Sequence, residues 1–279
     1  MVPTEITHAA DDRVDIFRRV KGRNDRNDPT FVAESELVLD RLVASDVVIR
    51  AVLVTPARAN RVVPIVSAAA ERAQRKVHIF VAAQTIVDEI VGYPLHRGVI
   101  ALAERPAGRD PKSIVAGART IVVLEDVADP ENVGSIFRHA AGFGVDAVLL
   151  HGHTGDPLYR KTVRTSMGWT LTIPYAHTSS SEIAIVELLH TFGFASIALT
   201  PSSSAAPLHA VIDGLTESTP VAFLLGAEGP GLTEPTMAAA TYRARITLAP
   251  GVDSLNVASA GAIALYALTA RQPIRLQTR

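Results

Sequence analysis

The stretch Ala249-Pro250-Gly251-Val252-Asp253-Ser254-Leu255-Asn256-Val257-Ala258-Ser259-Ala260-Gly261-Ala262 sets polar Ser254 and Asn256 into an otherwise apolar, small-residue run. Polar side chains in such a setting point to a bound ligand. Two earlier segments have the same character: Asn132-Val133-Gly134-Ser135-Ile136-Phe137-Arg138 and Gly226-Ala227-Glu228-Gly229-Pro230-Gly231-Leu232. Each follows a predicted strand, and together the three loops describe one site.

Working outward, the text from Arg119 repeats strand, loop and helix. Strands are predicted at 120–124, 145–150, 196–200, 221–225 and 244–248, with helices at 132–141, 181–191, 234–239 and 255–270. Such alternation implies a parallel sheet covered on both faces. Ligands of these sheets bind beyond the carboxyl ends of the strands, where the three loops fall. Upstream, helices at 34–44, 61–75 and 83–91 and strands at 47–54, 77–81 and 98–103 predict a second, smaller α/β unit. The resulting division is a loose N-terminus over 1–13, a domain over 14–103, a linker over 104–118 that is rich in Pro and Gly, and a larger domain over 119–279.

The chain has 279 residues, enough for two cores. Its lack of cysteine excludes disulfides, cysteine-ligated metal and a cysteine nucleophile, and fits a reducing cytoplasm. No run approaches the roughly 20 apolar residues of a membrane span. The start, Met1-Val2-Pro3-Thr4-Glu5, has no basic region before an apolar stretch, so no secretory signal is expected. The formal charge of −1 is unevenly distributed: residues 1–118 hold 17 Lys and Arg against 15 Asp and Glu, the rest 10 against 13. Arg13, Arg18, Arg19, Lys21, Arg23 and Arg26 cluster within the first part. They read either as a solvated helix and loop or as a basic strip for RNA.

Asn132 stands where it can cap the first helix of the larger domain. Gly134 and Arg138, four apart, share a helix face, leaving room for an anion beside the guanidinium. The loop at 226–231 spaces its glycines as G-x-x-G-x-G, not as the dinucleotide fingerprint G-x-G-x-x-G. Glu228 would also repel a pyrophosphate. Ser254 and Asn256, with Asp253, read as entry caps of the last helix, whose small residues allow close backbone approach. His151-Gly152-His153 has no carboxylate at metal-ligand spacing, so no metal is expected.

The three segments resemble the signature motifs of the SpoU/TrmH branch of the SPOUT methyltransferases, Asn-x-Gly-x-x-x-Arg, Gly-x-Glu-Gly-x-Gly-Leu and Ser-Leu-Asn-Val, in that order. The likeness covers residues 119 to 270, and more weakly 14 to 103, which resemble the family's RNA-binding α/β domain. The resemblance implies a deep trefoil knot, S-adenosylmethionine as cofactor, a homodimer packed through the knotted domain, and methylation of a ribose 2′-hydroxyl in structured RNA. By position it places Asn132, Arg138, Glu228, Ser254 and Asn256 in the catalytic pocket, and the backbones of Thr200, Gly226, Ile246, Leu248 and Leu255 around the cofactor.

Arg164, Ser166 and Gly168 fit a further family element. Arg160, Lys161 and Arg164, with Arg18, Arg19, Lys21 and Arg23, are the expected RNA contacts. The sequence departs from the pattern at Ile246-Thr247-Leu248, usually Ile-Pro-Met, and at Ala258-Ser259-Ala260-Gly261. Ribosomal RNA is favoured over transfer RNA because such front domains read folded RNA shape. The alternatives are a transfer RNA methyltransferase or a non-catalytic RNA-binding or ribosome-assembly protein.

Overall fold

The computed structural model describes residues 2–18, 20, 26–178 and 182–270, in two units. The first comprises residues 1–107 together with 156–172, the second 108–155 and 173–279. Arg19, Lys21 and Arg23 lie outside the described residues.

In the first unit the elements are β1 (Thr4–Ile6), α1 (Asp15–Arg18), β2 (Thr30–Glu34), α2 (Glu36–Ala44), β3 (Ile49–Val54), α3 (Pro56–Arg72), β4 (His78–Ala82), α4 (Gln84–Val91) and β5 (Val99–Glu104). They form a mixed sheet in the order β1-β4-β3-β5-β2, with β5 antiparallel to both its neighbours. The β-branched run at 49–54 explains the central strand: Ala51 to Val54 are fully buried. Phe17 meets Phe80 edge-on at 6.3 Å within this core. The N-terminus is not loose throughout. Thr4–Ile6 adds an edge strand parallel to β4 and buries Ile6, a three-residue signal too short for periodicity to reveal.

The second unit begins inside the expected linker. Asp110 accepts the Lys112 N–H at 3.3 Å and starts α5 (Pro111–Val115), whose Ile114 and Val115 are buried. Then come β6 (Thr120–Glu125), α6 (Pro130–Gly142) and β7 (Ala147–His151). After the inserted α7 (Arg160–Thr165) follow β8 (Tyr175–Thr178), α8 (Glu182–Thr191), β9 (Ala195–Leu199), β10 (Ala206–Pro207), α9 (Leu208–Asp213), β11 (Val221–Gly226), α10 (Glu234–Ala239), β12 (Tyr242–Arg245) and α11 (Val257–Thr269).

Every pairing in the seven-stranded sheet β10-β12-β9-β11-β6-β7-β8 is parallel. Strand β6 shows why its sequence is a continuous apolar run. Val122 and Leu124 face the core shared with α6, α9 and α11, while Ile121 and Val123 face the one shared with α5, α8 and α10. The last strand ends at Arg245, not at Leu248, so Ile246 and Leu248 are freed to line a cavity.

The segment 156–172, which the sequence pattern assigns to the larger domain, packs with the first unit. Two arginines of that unit hold it. Arg105 donates to both carboxylate oxygens of Asp156, at 3.0 and 2.9 Å. Arg41 donates to the Met167 carbonyl and lies 4.1 Å above the Trp169 ring.

Candidate active site

The site forms at the carboxyl ends of β6, β9, β11 and β12. Asp129 caps α6, accepting the N–H groups of Glu131 and Asn132 at 2.6 and 3.1 Å, and Pro130 follows it. The expected capping role of Asn132 therefore belongs to Asp129, three residues earlier. Asn132 stands inside the first turn, only 8% exposed, and its amide is left free for another task.

That task is a three-residue network. Asn132 Nδ2 donates to Glu228 Oε1 at 2.6 Å. Asn256 Nδ2 donates to Asn132 Oδ1 at 2.8 Å and to the same Glu228 oxygen at 3.1 Å. Asn256 also caps α11, its Oδ1 accepting from the N–H groups of Ala258 and Ser259 at 2.9 and 3.2 Å. The cap reading of Asn256 holds, and the two ends of its amide are divided: the oxygen serves the helix and the nitrogen joins Asn132 and Glu228. The network joins all three marked loops.

The loop after β11 turns back on itself. Gly231 donates its N–H to the Ala227 carbonyl at 3.0 Å, with Gly229 and Gly231 at φ of 89° and 76°. A Cβ on Gly226 would lie 2.2 Å from the Gly231 carbonyl carbon and the Leu232 nitrogen, so only glycine lets the strands of this loop touch. Glu125, just 3% exposed, anchors the loop's exit. Its carboxylate accepts the Thr233 N–H at 2.6 Å and the Thr236 hydroxyl. Sequence reasoning missed Glu125. The signal was an acid closing the apolar run Ile121–Leu124, seven residues before Asn132.

These loops enclose a cavity of about 500 Å³, within the range of small-molecule sites. Thr200, Gly226, Ile246, Leu248 and Leu255 all line it, as do Glu228, Ser254 and Asn256. Asn132 reaches its wall through Glu228. Arg138 does not line the cavity: it is exposed on α6, with no hydrogen bond or ion pair among the described residues. Gly134, expected to open a surface beside it, is instead buried as α6 packs on α11.

The basic residues of the first unit divide. Arg18 donates to the Asp11 carbonyl at 2.9 Å and pairs with Asp15. Arg160 pairs with Glu34 at 2.5 Å and lies 3.9 Å above the Tyr93 ring, while Tyr93 donates its hydroxyl to Glu34. Burial, and then the Glu34 contact, push the Tyr93 phenol far above its ordinary range. Arg164 is exposed, and Lys161 is half-buried. His151 accepts or donates to Thr178 at 3.1 Å, and His153 approaches Asp126 at 3.3 Å.

A parallel α/β domain whose strand-end loops hold two asparagines and a glutamate over a ligand-sized cavity defines a small-molecule-binding enzyme class. Comparison with known proteins narrows it. The SpoU rRNA Methylase family matches residues 119–266, and the chain belongs to that family. An uncharacterized tRNA/rRNA methyltransferase of Mycobacterium tuberculosis is 39% identical over 264 residues, covering 93% of this chain and 89% of its own. A 23S rRNA (guanosine-2′-O-)-methyltransferase of Bordetella pertussis is 30% identical over 201 residues, covering 71% and 79%. The AdoMet-bound rRNA methyltransferase of Sinorhizobium meliloti superposes with a TM-score of 0.80 at 25% identity, over 96% of this chain and 97% of that one. The fold is that of the SpoU methyltransferases.

Proposed function

We propose that this protein transfers a methyl group from S-adenosylmethionine to a ribose 2′-hydroxyl of ribosomal RNA. The observation that carries the reading is the Asn132–Glu228–Asn256 network at the wall of a cavity lined by the positions that the family motifs assign to the cofactor. S-adenosylmethionine, when bound, supplies a methyl group on a positively charged sulfonium. The lining suits it, since Thr200, Gly226, Ile246, Leu248 and Leu255 stand at the wall and no Lys, Arg or His among the described lining residues would repel the sulfonium. Relatives from Bordetella pertussis and Bacillus subtilis are named as 23S rRNA 2′-O-methyltransferases, which supports the choice of RNA.

Asn132, Ser254 and Asn256 orient the acceptor ribose at the mouth of the cavity. Arg138, exposed on α6 outside the cavity lining, clamps the RNA phosphate next to the acceptor ribose as a constant cation. Arg164 and Lys161 supply RNA phosphate contacts. Two further elements belong to the same reading. The folded-back loop at 226–231 and the segment 251–256, which enclose one cavity, are the segments of a trefoil knot. Exposed Ile263 (41%) and Tyr266 (67%) on the outer face of α11 support a homodimer through this domain. Among the described residues no helix is long and apolar enough to cross a membrane. We place the protein in the cytoplasm, where ribosomal RNA is met.

The test is transfer of labelled methyl from S-adenosylmethionine to unmodified ribosomal RNA and, separately, transfer RNA, followed by nuclease mapping. Label in a 2′-O-methylnucleoside of the ribosomal pool is expected. Label confined to transfer RNA would overturn the substrate, and none in either, with the cofactor bound, would overturn the enzymatic reading.

A further inference from the structure

The charge of the cavity carries a consequence for turnover, and it rests on the cofactor reading above. Among the described lining residues Glu228 and Asp253 are acidic, and none is Lys, Arg or His. The Glu228 carboxylate has a fixed orientation, because the Asn132 and Asn256 amides both donate to Oε1, at 2.6 and 3.1 Å. The opposite oxygen receives no hydrogen bond within the network. Asp253 adds a second negative charge from the segment that leads into α11. A cavity so lined suits a ligand with net positive charge.

S-adenosylmethionine has one more positive charge than S-adenosylhomocysteine. In the transfer, the ribose oxygen forms a bond to the methyl carbon, the carbon–sulfur bond breaks with its electron pair remaining on sulfur, and the hydroxyl proton leaves to solvent. The sulfonium becomes a neutral thioether. We infer that Glu228 and Asp253 make the cavity select the sulfonium donor over the thioether product, so that loss of the methyl group itself weakens the hold on the spent cofactor. An interaction between unit charges across a partly hydrated cavity amounts to roughly tenfold in affinity.

Calorimetric titration of the full chain with three nucleosides tests this: S-adenosylmethionine, S-adenosylhomocysteine, and sinefungin, which keeps a cationic amine where the sulfonium stands. The two cations should bind roughly tenfold tighter than the thioether at low ionic strength, and the ratio should shrink with added salt. Glu228→Gln keeps an acceptor for both asparagines. It should lower affinity for the cations while leaving that for the thioether, and Asp253→Asn should do the same to a smaller extent. A wild-type ratio near one, or a ratio indifferent to salt, overturns the inference without need of any variant. So does a Glu228→Gln protein that loses all three ligands equally, since the carboxylate would then be only a brace. Binding of none of the three would remove the cofactor reading along with the inference.

Discussion

Asn132 Nδ2 donates to Glu228 Oε1 at 2.6 Å, linking the first turn of α6 to the loop after β11 across 96 positions of sequence. Asn256 completes the link from the cap of α11. Because the cap uses the Asn256 oxygen and the site its nitrogen, one substitution separates the two roles. Asn256→Asp retains an acceptor for Ala258 and Ser259 but sets a second carboxylate against Glu228. At such a separation, near a protein surface, like charges repel by up to about 4 kcal/mol. Methyl transfer should fall by about two orders of magnitude while far-ultraviolet circular dichroism stays native. Near-full activity in Asn256→Asp would show that the network does not organise the site.

Gly226 and Gly261 both stand against neighbours, but the neighbours differ. A Cβ on Gly226 would meet backbone at 2.2 Å, whereas on Gly261 it would meet the end of the Leu225 side chain at 2.9 Å. Leu225 can shift, and the loop backbone cannot without reshaping the cavity. Gly226→Ala should therefore destabilise by about 1–3 kcal/mol and abolish cofactor binding, with Gly261→Ala milder on both counts. Urea midpoints and calorimetric affinities would decide it, and equal effects would contradict the distinction.

Arg160 and Arg164, one helical turn apart on α7, should separate structural from RNA-binding cations. Arg160 is committed to Glu34 and the Tyr93 ring, and Arg164 is exposed. Arg160→Ala leaves a mostly buried carboxylate without its cation and should cost about 1–3 kcal/mol of stability. Arg164→Ala should leave the urea midpoint unchanged and lower affinity for ribosomal RNA several-fold, with a shallower salt dependence. An Arg160→Ala protein of unaltered stability but weakened RNA binding would reverse these assignments.

Much of this is legible in the amino-acid sequence. The apolar run at 121–124 and the β-branched residues at 49–54 announce buried strands, because each position packs on one sheet face or the other. The cavity was marked by glycine and amide side chains where an apolar helix entry has no use for them. What stayed hidden depends on long-range partners. Asp129 and Asn132 both look like caps, and only the approach of Glu228 shows which amide is free to leave the helix. Arg160, Lys161 and Arg164 look alike as phosphate ligands until Glu34 and Tyr93, from distant elements, claim the first. The grouping of 156–172 with the first unit is invisible to periodicity, since the Arg105–Asp156 ion pair and the Arg41–Trp169 ring contact join residues far apart in sequence.

His139 gives the protein a loss of stability towards acid. Its Nδ1 is buried without a hydrogen-bond partner among the described residues, on the helix that carries Asn132 and packs on α11. Burial lowers its pKa from the ordinary 6.5, Arg138 beside it lowers it further, and the Ala258 backbone opposes them. The folded protein therefore keeps His139 neutral at a pH where the unfolded chain has already taken up the proton. The unfolded state binds more protons, so this contribution to stability is complete above the ordinary value and is lost as pH falls through it towards the lowered one. Wild-type urea midpoints should decline between pH 7.5 and 5.5 more than those of His139→Leu, which has nothing to protonate at that position. Parallel declines in the two proteins would assign the acid sensitivity to other groups and leave His139 a packing residue between α6 and α11.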